Sequence, residues 1–460
     1  MRRLRVSANH RTLEYEDGTP FLYLGDTAWE LLHRLTLEET RHYLSNRAAK
    51  GFTVIQAVVL SELAGVTEPT PEGHLPLIDR DPTRPNAPYF EHVDAVVQAA
   101  ASLGLVMGLL PTWGSLWKQG DGRTPIFDEK NAFTYGEFVG RRYRDQPIIW
   151  ILGGDQNIER PSEHAVIDAM ARGLRAGDGG AHLITFHPRG PGQSSRVLHS
   201  AAWLDFNMIQ SSHGARDHDN GLFVEHDLAL TPPKPTLDGE PRYEAIPVGF
   251  YNSDVRQSVR CDDYDVRQAA YWAVLAGACG HTYGNNNIWQ MWSPGHKPVI
   301  NACTPWYEAL DHPGAFQMGI LRRLFESRPW QTLVPDGTFI VDGPASGGAK
   351  IRAARAEDHS FAFVYSPRGA PFTVRQNVVQ AQTPPTRVAA TWFDPRYGIA
   401  TPLHTSDDSG FQTFVPPTSG RGQDWILVLD DAARGYPPPG TSATPSYPAD
   451  RRLGHLAPNA

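Results

Sequence analysis

The sequence predicts an α/β fold, namely a (β/α)8 TIM barrel followed by a small antiparallel β-sandwich. First, eight short apolar runs alternate with helix-period segments over residues 1–332, which is the pattern of βαβ units in a closed barrel. Second, residues 333–431 hold short strand-like runs split by Gly, Pro and Asp turns, with no helix-period segment between them. Third, residues 432–460 contain a PPPG run and scattered Pro and Ser, so we expect a poorly ordered tail.

The amino-terminal half of the barrel begins after a hairpin. Residues 4–18 are expected to form this hairpin outside the barrel strands, where it either caps the bottom of the barrel or pairs with the sandwich. A helix is predicted over 36–51, because Thr36 and Glu39 have capping-box spacing and Gly51 stands where a helix would end. Further helices are predicted over 89–104 and 132–146. The strands predicted in this half are 21–27, 52–60, 105–113 and 148–157.

The second half of the barrel repeats the alternation. A helix is predicted over 162–177, because Val166, Met170 and Leu174 lie on one helical face. The acids of the segment CDDYD (261–265) precede a long apolar helix, where they favour the helix dipole. The strands predicted in this half are 182–188, 203–213, 235–244 and 280–287.

The composition excludes several classes of protein. The chain has 460 residues, and 42 basic against 50 acidic side chains give a net charge of −8, so we expect no nucleic-acid partner. Three cysteines cannot build a disulfide framework or a four-thiolate metal site. No apolar run approaches the roughly 18 residues of a membrane span, so no membrane partner is expected. The basic amino terminus lacks the apolar stretch of a secretory signal, which predicts a cytoplasmic protein, secreted only if a signal was removed.

Two carboxylates at predicted strand ends are the candidate catalytic residues. In a TIM barrel the active site lies at the carboxyl ends of the strands. Asp155 ends the fourth strand and Glu240 ends the seventh, each directly after glycine, on opposite sides of the barrel mouth. Cleavage of a glycosidic bond needs one protonated acid that donates to the leaving oxygen and one ionised carboxylate that attacks carbon. The alternative is that each acid caps a following helix or pairs with an arginine such as Arg242.

A polar and aromatic lining of the same mouth suits a sugar with many hydroxyls. Each type of residue also has an alternative role. Asp26 could instead cap the helix expected at Thr27, and the histidines could be hydrogen-bonded core residues. Some of the tryptophans could serve only in packing. The predicted substrate-binding residues are Asp26, Trp29, Gln56, Trp113, Gln156, His187, Gln210, His213, Tyr243, His281, Tyr283 and Trp289.

The sequence lacks the common motifs of cofactor and metal sites. The sequence has no P-loop, no dinucleotide-binding fingerprint and no nucleophile-elbow serine, so no cofactor is expected. The segments 217–219 and 225–227 contain metal-ligand residue types without the spacing of a zinc helix or a calcium loop. We therefore expect solvated polar loops there and no metal.

Four barrel motifs resemble those of the apiosidase-type glycoside hydrolases, family 140. They are TPFLYLGDTAWELLHRLTLEE, IIWILGGDQN, LDGEPRYE and HTYGNNNIW. The resemblance covers residues 5–430 and includes WFDPRYG and GQDWILVLDD of the sandwich, which in this family carries the label "putative collagen-binding".

The resemblance implies a retaining glycosidase that releases β-linked apiose from plant glycans or glycosides. The family's acid/base aspartate falls on Asp155 and its nucleophilic glutamate on Glu240. The lack of a secretion signal favours an imported oligosaccharide or a small glycoside as the carbohydrate substrate. The alternatives are a retaining glycosidase for another furanoside, such as an arabinofuranoside, and an inactive carbohydrate-binding barrel, against which the acid pair argues. A sandwich that binds a protein partner is a further alternative.

Overall fold

The computed structural model describes residues 2–120, 124–249, 259–379, 387–406 and 410–441. Its first element is a small antiparallel sheet of the strands β1 (Leu4–Val6), β2 (Leu13–Tyr15) and β3 (Pro20–Phe21). The buried side chains of Leu13 and Phe21 pack in one apolar cluster with Val54 and Val106, the first residues of two barrel strands. Of the two positions expected for the hairpin, the structure therefore shows the cap on the bottom of the barrel.

Eight parallel strands form a nearly closed barrel, which confirms the predicted fold class. Neighbouring strands are hydrogen-bonded in the order β8-β7-β6-β5-β4-β12-β11-β10, and β9 adds an antiparallel edge to β10. The gap between β8 and β10 is bridged by Asp205 N–H, which donates to Ile184 O at 2.9 Å. The strands are β4 (Tyr23–Thr27), β5 (Val54–Val58), β6 (Val106–Leu110), β7 (Ile148–Gly153), β8 (Ile184–His187), β9 (Gly192–Gln193), β10 (Asn207–Gln210), β11 (Thr236–Asp238) and β12 (Gly280–Tyr283).

Helices surround the barrel and begin at the expected signals. The Thr36–Glu39 capping box starts α2, as the sequence predicted. The acids of 261–265 stand at the start of α8 as expected, and the structure adds that Asp262 and Asp265 form a capping box there. The helices are α1 (Leu31–Arg34), α2 (Leu37–Ala49), α3 (Ala87–Ser102), α4 (Glu129–Tyr143), α5 (Pro161–Asp178), α6 (Ser195–Leu198), α7 (Gly221–Leu228), α8 (Asp263–Leu275), α9 (Trp306–Ala309) and α10 (Pro313–Glu326).

Residues of each barrel strand alternate between two layers of the core. Tyr23, Val54 and Ile151 share the interior cluster with the amino-terminal sheet. Leu24 and Trp150 belong to clusters that include helical residues and lie between the strands and the helices. Because successive side chains of a strand point to opposite faces, the position of a residue in this alternation decides whether it reaches the barrel interior.

The carboxy-terminal region consists of two antiparallel sheets. One has the order β13-β15-β16-β21-β18-β19 and the other β14-β17-β20. Apolar side chains from both sheets, such as Val364, Trp392 and Phe414, pack between them. The strands are β13 (Leu333–Pro335), β14 (Ile340–Asp342), β15 (Arg352–Ala356), β16 (Phe361–Ser366), β17 (Phe372–Arg375), β18 (Val388–Asp394), β19 (Ile399–Ser406), β20 (Phe411–Phe414) and β21 (Trp425–Asp431).

The start of the expected tail is packed against the domains. Residues 432–434 form a 3-10 turn, and Tyr436 places its ring against Phe361 and under the Arg328 guanidinium. The expectation of poor order is therefore wrong for residues 432–441, because aromatic and cation–π contacts hold them. Residues 442–460 of the expected tail lie outside the described residues.

Buried arginine–carboxylate pairs join the sandwich to the barrel. Arg267 of α8 donates two hydrogen bonds to Asp424, at 2.8 and 2.6 Å, and both side chains are almost fully buried. Arg328 makes a similar pair with Asp430, at 2.9 and 2.7 Å. Two parallel N–H···O bonds fix both distance and orientation, so these pairs align the two domains as well as holding them together.

Replacing Asp424 by alanine should destabilise the protein strongly. The substitution leaves the Arg267 guanidinium buried without its carboxylate, which costs roughly 3–5 kcal/mol of unfolding free energy. Chemical denaturation followed by circular dichroism measures this loss. Glu129→Ala, which removes an exposed pair with Arg172, is the control and should cost less than about 1 kcal/mol. Equal small losses in both variants would contradict the expectation.

The acidic segments 217–219 and 225–227 are held by contacts with the sandwich and with the barrel. Asp219 accepts hydrogen bonds from Arg352 and Lys350 of the sandwich, and Glu225 accepts one from Arg352. Asp227 is buried and accepts from Ser195 and Thr236. The expectation of solvated loops is therefore wrong: the bases that pair with Asp219 and Glu225 lie more than a hundred residues away in the sequence, and Asp227 is a buried residue of α7. Within the described residues, no three His, Cys, Asp or Glu side chains form a group able to hold a metal.

Candidate active site

A double-glycine turn carries Asp155 into the barrel mouth. Gly153 and Gly154, at the end of β7, have φ values of 94° and 90°. A Cβ on Gly153 would lie 2.3 Å from His187 O, so only glycine fits between β7 and β8. Asp155 itself has a φ of 53°, a left-handed conformation uncommon outside glycine. Its backbone N–H donates to His187 Nδ1 at 3.1 Å, which holds this conformation in place.

Two histidines contact the carboxylate of Glu240, which follows β11. His187 Nε2 lies 2.8 Å from Glu240 Oε2, and His213 Nε2 lies 3.0 Å from Oε1. All three side chains are buried. His187 ends β8 and His213 follows β10. Glu240, which follows the seventh barrel strand, β11, therefore lies between residues from the ends of two other barrel strands.

Hydrogen-bond partners assign the proton of the His187 ring. His187 Nδ1 accepts from the backbone of Asp155, so its proton lies on Nε2, facing Glu240. His213 Nδ1 faces the carbonyl oxygen of Pro241 at 2.7 Å, and its Nε2 faces the carboxylate. Both nitrogens of the His213 ring thus face oxygen atoms, one of Pro241 and one of Glu240. Glu240 is therefore contacted by a histidine ring at each of its carboxylate oxygens.

The two candidate acids have opposite pKa shifts. Burial, followed by the negative charge of Glu240, raises the pKa of Asp155 to about 6. Burial alone would raise the pKa of Glu240 too, but the hydrogen bonds from His187 and His213 outweigh it and lower that pKa to about 2. Near neutral pH the site thus has one carboxylate that stays ionised and one carboxyl group able to exchange a proton.

The alternative roles considered for these acids do not fit the geometry. The Arg242 guanidinium points away from Glu240 and donates to His218 O at 2.7 Å and to Asp265 O at 3.1 Å. The helix after Asp155 begins only at Pro161. Neither acid is therefore occupied by an arginine partner or a helix cap, so both remain available for chemistry.

Several predicted binding residues surround the pair. Trp29 lies 5.6 Å from Trp113 and 5.4 Å from His187 between ring centroids. The same apolar cluster contains Tyr243 and Trp289. Two of the predicted glutamines also lie at this mouth: Gln210 hydrogen-bonds to Asp155, and a Cβ on Gly114, beside Trp113, would lie 2.4 Å from Gln156. These aromatic faces and amides form the wall expected of a sugar-binding cleft.

Three other predicted binding residues point away from the mouth, into the layer between strands and helices. Asp26 accepts a hydrogen bond from Tyr43 at 2.6 Å and lies 2.9 Å from Arg47 Nε, both on α2. Tyr283 donates to Glu244 at 2.5 Å. His281, two residues before Tyr283, is buried on the same face of β12, and burial lowers its pKa to about 3. The prediction of substrate binding is wrong for these three because strand alternation turns them outward.

Gln56 points inward but lies below the mouth. Its amide donates to Gly239 O at 3.0 Å and accepts from the Tyr23 hydroxyl at 2.9 Å, so it links three strands within the barrel core. The binding role predicted for Gln56 is wrong because the side chain is fully buried and committed to these partners. Thr27, which the prediction missed, faces the Tyr243 hydroxyl at the mouth. The signal was its place in the alternation, one residue beyond Asp26.

The chain matches two family models. Residues 7–332 match the family described as "Apiosidase-like, catalytic domain", and residues 334–430 match "Putative collagen-binding domain of a collagenase". No curated protein matches the chain. One solved structure, described as a glycoside hydrolase family 5 from Bacteroides vulgatus ATCC 8482, is 33% identical with a TM-score of 0.87 over 96% of each chain. Another, described as a glycoside hydrolase, is also 33% identical, with a TM-score of 0.85 over 94% of this chain and 97% of that one.

The barrel and these relatives define the protein as a glycoside hydrolase. The chain belongs to the apiosidase-like family, and its carboxy-terminal sandwich matches the second of the two models. The resemblance drawn from the four barrel motifs is thereby confirmed. Within the described residues, no helix combines the length and the apolar character required to span a bilayer.

Proposed function

We propose that the protein is a retaining glycosidase that removes β-linked apiose from plant glycans or glycosides. The observation that carries this proposal is the pairing of a carboxyl group whose pKa is raised to about 6, on Asp155, with a carboxylate whose pKa is held at about 2, on Glu240. A double displacement at an anomeric carbon needs a proton donor and an ionised nucleophile in one cleft. The match to the apiosidase-like family supports apiose as the sugar.

In the first step, Glu240 attacks the anomeric carbon while Asp155 gives its proton to the leaving oxygen. A covalent glycosyl-enzyme forms and the alcohol departs. In the second step, Asp155 takes a proton from water, whose oxygen displaces Glu240 and restores the sugar hydroxyl with the original configuration. His187 and His213 keep Glu240 ionised and oriented before attack, and Trp29, Trp113 and Trp289 are the proposed faces for the carbohydrate.

The pH profile of kcat/KM should fall on the alkaline side near pH 6. The active form has Asp155 protonated and Glu240 ionised, so rising pH removes the catalytic proton once it passes the Asp155 pKa of about 6. Activity should then fall about tenfold per pH unit. On the acid side it should persist towards the Glu240 pKa of about 2, until the fold itself is lost. Rates on a glycoside with a poor leaving group, measured from about pH 4 to pH 8, check this; a rate that rises through pH 6 would contradict it.

A hydrolysis screen over apiose-containing and other furanosidic glycosides, with product identification, tests the substrate. Release of apiose supports the proposal, and proton NMR of the first-formed anomer distinguishes retention from inversion. Release of arabinose alone would replace apiose with another furanoside and keep the mechanism. Binding of a glycan without turnover would indicate an inactive carbohydrate-binding barrel.

A further inference from the structure

The segment 213–220 lies between β10 and α7. It begins at His213, which contacts Glu240, and ends at Asn220, whose side chain contacts strand β11. We call it the His213 loop. At its start, His213 lies against Glu240 and Pro241. At its end, Asn220 donates to Asp238 of β11 at 2.7 Å, two residues before Glu240. The loop therefore spans the base of the proposed nucleophile from both sides.

The conformation of the His213 loop is not one that its own residues favour. Ser212, just before it, has a φ of 79° and Asp217 within it has a φ of 56°. Neither residue is glycine, and positive φ values cost such residues free energy unless the surroundings impose them. The loop thus depends on contacts from outside its own sequence.

Three bases of the sandwich supply such contacts. Arg368 donates to Asp217 at 2.7 Å, and Lys350 and Arg352 each donate to Asp219 at 2.7 Å. Burial would raise the pKa of Asp219, but the charges of Arg352 and Lys350 and their hydrogen bonds outweigh it and lower that pKa. Both acids of the loop are therefore paired with bases of the other domain.

Two glycines allow this approach. A Cβ on Gly221, at the start of α7, would lie 2.3 Å from the Arg352 guanidinium carbon. A Cβ on Gly348 of the sandwich would lie 2.2 Å from the Asp217 carboxylate. At both positions a side chain of one domain lies so close to the backbone of the other that a Cβ would clash with it. The close approach of the two domains at this loop therefore depends on glycine.

A fourth base of the sandwich acts through α8. Arg421 pairs with Asp265 at 2.8 Å, and Asp265 in turn pairs with Arg216 of the loop at 3.1 Å. Arg216 also donates to the carbonyl oxygen of Arg260. Three side chains of the loop, those of Arg216, Asp217 and Asp219, are thus fixed by ion pairs, and the first of them is three residues from His213.

We propose that the sandwich is a structural part of the catalytic centre: Lys350, Arg352 and Arg368 hold the His213 loop so that His213 keeps its contact with Glu240. This inference rests on the proposed function for its link to catalysis. The three bases touch no substrate and act as positioning residues. The sandwich then serves this chain's own active site and needs no external partner to explain it.

The test is the double variant Lys350→Met/Arg368→Met in the full-length protein, which leaves the deeply buried Arg352 in place. Its kcat should fall about ten- to a hundredfold with little change in KM, because displacement of a supporting group by about 1 Å costs rate in this range. The acidic limb of its pH profile should move to higher pH, because Glu240 loses part of the field of His213 while His187, Asp155 and Tyr243 still face it. Arg368→Lys in place of Arg368→Met keeps the positive charge and should recover most of the lost kcat.

Arg355→Met is the matched control. Arg355 pairs with Asp336 at 2.8 Å within the sandwich and contacts no residue of the His213 loop. Arg355→Met should lower the melting temperature by about as much as the double variant does, while keeping the wild-type kcat and pH profile. Asp217→Asn combined with Arg368→Met should lose no more rate than either single variant, because both break the same pair.

Nitrogen-15 NMR of the histidine rings gives a readout that needs no activity. The His213 signals, assigned by their loss in His213→Gln, should differ between the wild type and the double variant, because the contact with Glu240 changes. If the wild type hydrolyses no glycoside, the proposed function fails, yet this spectral change still supports the positioning role. A folded double variant with wild-type His213 shifts overturns the inference, as does one with wild-type kcat and pH profile in an active enzyme.

Discussion

Glu240→Gln should lower turnover by at least about 10⁴-fold on every glycoside that the protein cleaves. The amide cannot form the glycosyl-enzyme, and His213, which faces Oε1, would meet a neutral group in place of its carboxylate. No other ionised carboxylate is seen against the His187–His213 pair among the described residues. Initial rates on natural and on activated aryl glycosides measure the loss.

Glu244→Gln is the matched control for that variant. Glu244 is buried four residues further on, and burial raises its pKa to about 7, so a neutral amide resembles its protonated form. It accepts from Tyr283 and from Gly314 N–H, away from the mouth. This variant should keep most of the activity. In Glu240→Gly, a small anion such as azide should enter the vacated space and restore turnover with inverted product. A Glu240→Gln enzyme that retains more than a few per cent of the rate would remove Glu240 from the nucleophile role.

Asp155→Asn should affect substrates according to their leaving groups. A glycoside with a poor leaving group needs a proton, so its rate should fall about 10²- to 10⁴-fold, whereas an activated aryl glycoside departs without one and should lose much less in the first step. The alkaline limb of the pH profile should also disappear, because it reports the Asp155 proton whose pKa is about 6.

Comparing kcat/KM on the two kinds of glycoside tests this role, since that ratio reports steps up to formation of the glycosyl-enzyme. Gln156→Ala is the control, because Gln156 lies beside Asp155 without a carboxyl group. Gln156→Ala should lower kcat/KM on both substrates to a similar extent and keep the alkaline limb of the pH profile. Equal losses on both substrates in Asp155→Asn would show that Asp155 does not donate the proton.

The C-terminal sandwich has consequences for how variants of this protein are interpreted. A substitution in the sandwich that lowers activity would ordinarily be assigned to folding alone. Arg267–Asp424 and Arg328–Asp430 fit that view, since they align the domains away from the mouth. Arg352 and Arg368 differ because they contact the His213 loop. Variants of the first group should therefore lose stability alone, whereas variants of Arg352 and Arg368 should also lose activity.

The sequence by itself predicted the barrel, the sandwich and the positions of Asp155 and Glu240. These features are local in the chain. Apolar periodicity marks each strand and helix, and a glycine directly before an acid marks a strand end from which a side chain can project. Parallel strands of a barrel also place their carboxyl ends at one mouth, so the order of the strands sufficed to put the two acids on opposite sides of it.

The direction of each strand-end side chain was decided only in the tertiary structure. Asp26 and Gln56 both lie in predicted strands, yet one pairs with Arg47 outside the barrel and the other bonds to Gly239 inside it. A strand boundary shifted by one residue exchanges the two faces. Sequence patterns locate such boundaries only to within a few residues, so this part of the binding site could not be predicted.

The electrostatics of the site also required the tertiary structure. The pKa of a carboxyl group depends on its burial and on charges within a few ångströms, and these come from residues remote in the chain. Glu240 owes its low pKa to His187 and His213, on two other segments of the barrel. Asp219 meets Arg352 from 133 residues away. The sequence thus determined which acids stand at the mouth, whereas folding determined which of them is ionised, because only folding brings the histidines and bases to them.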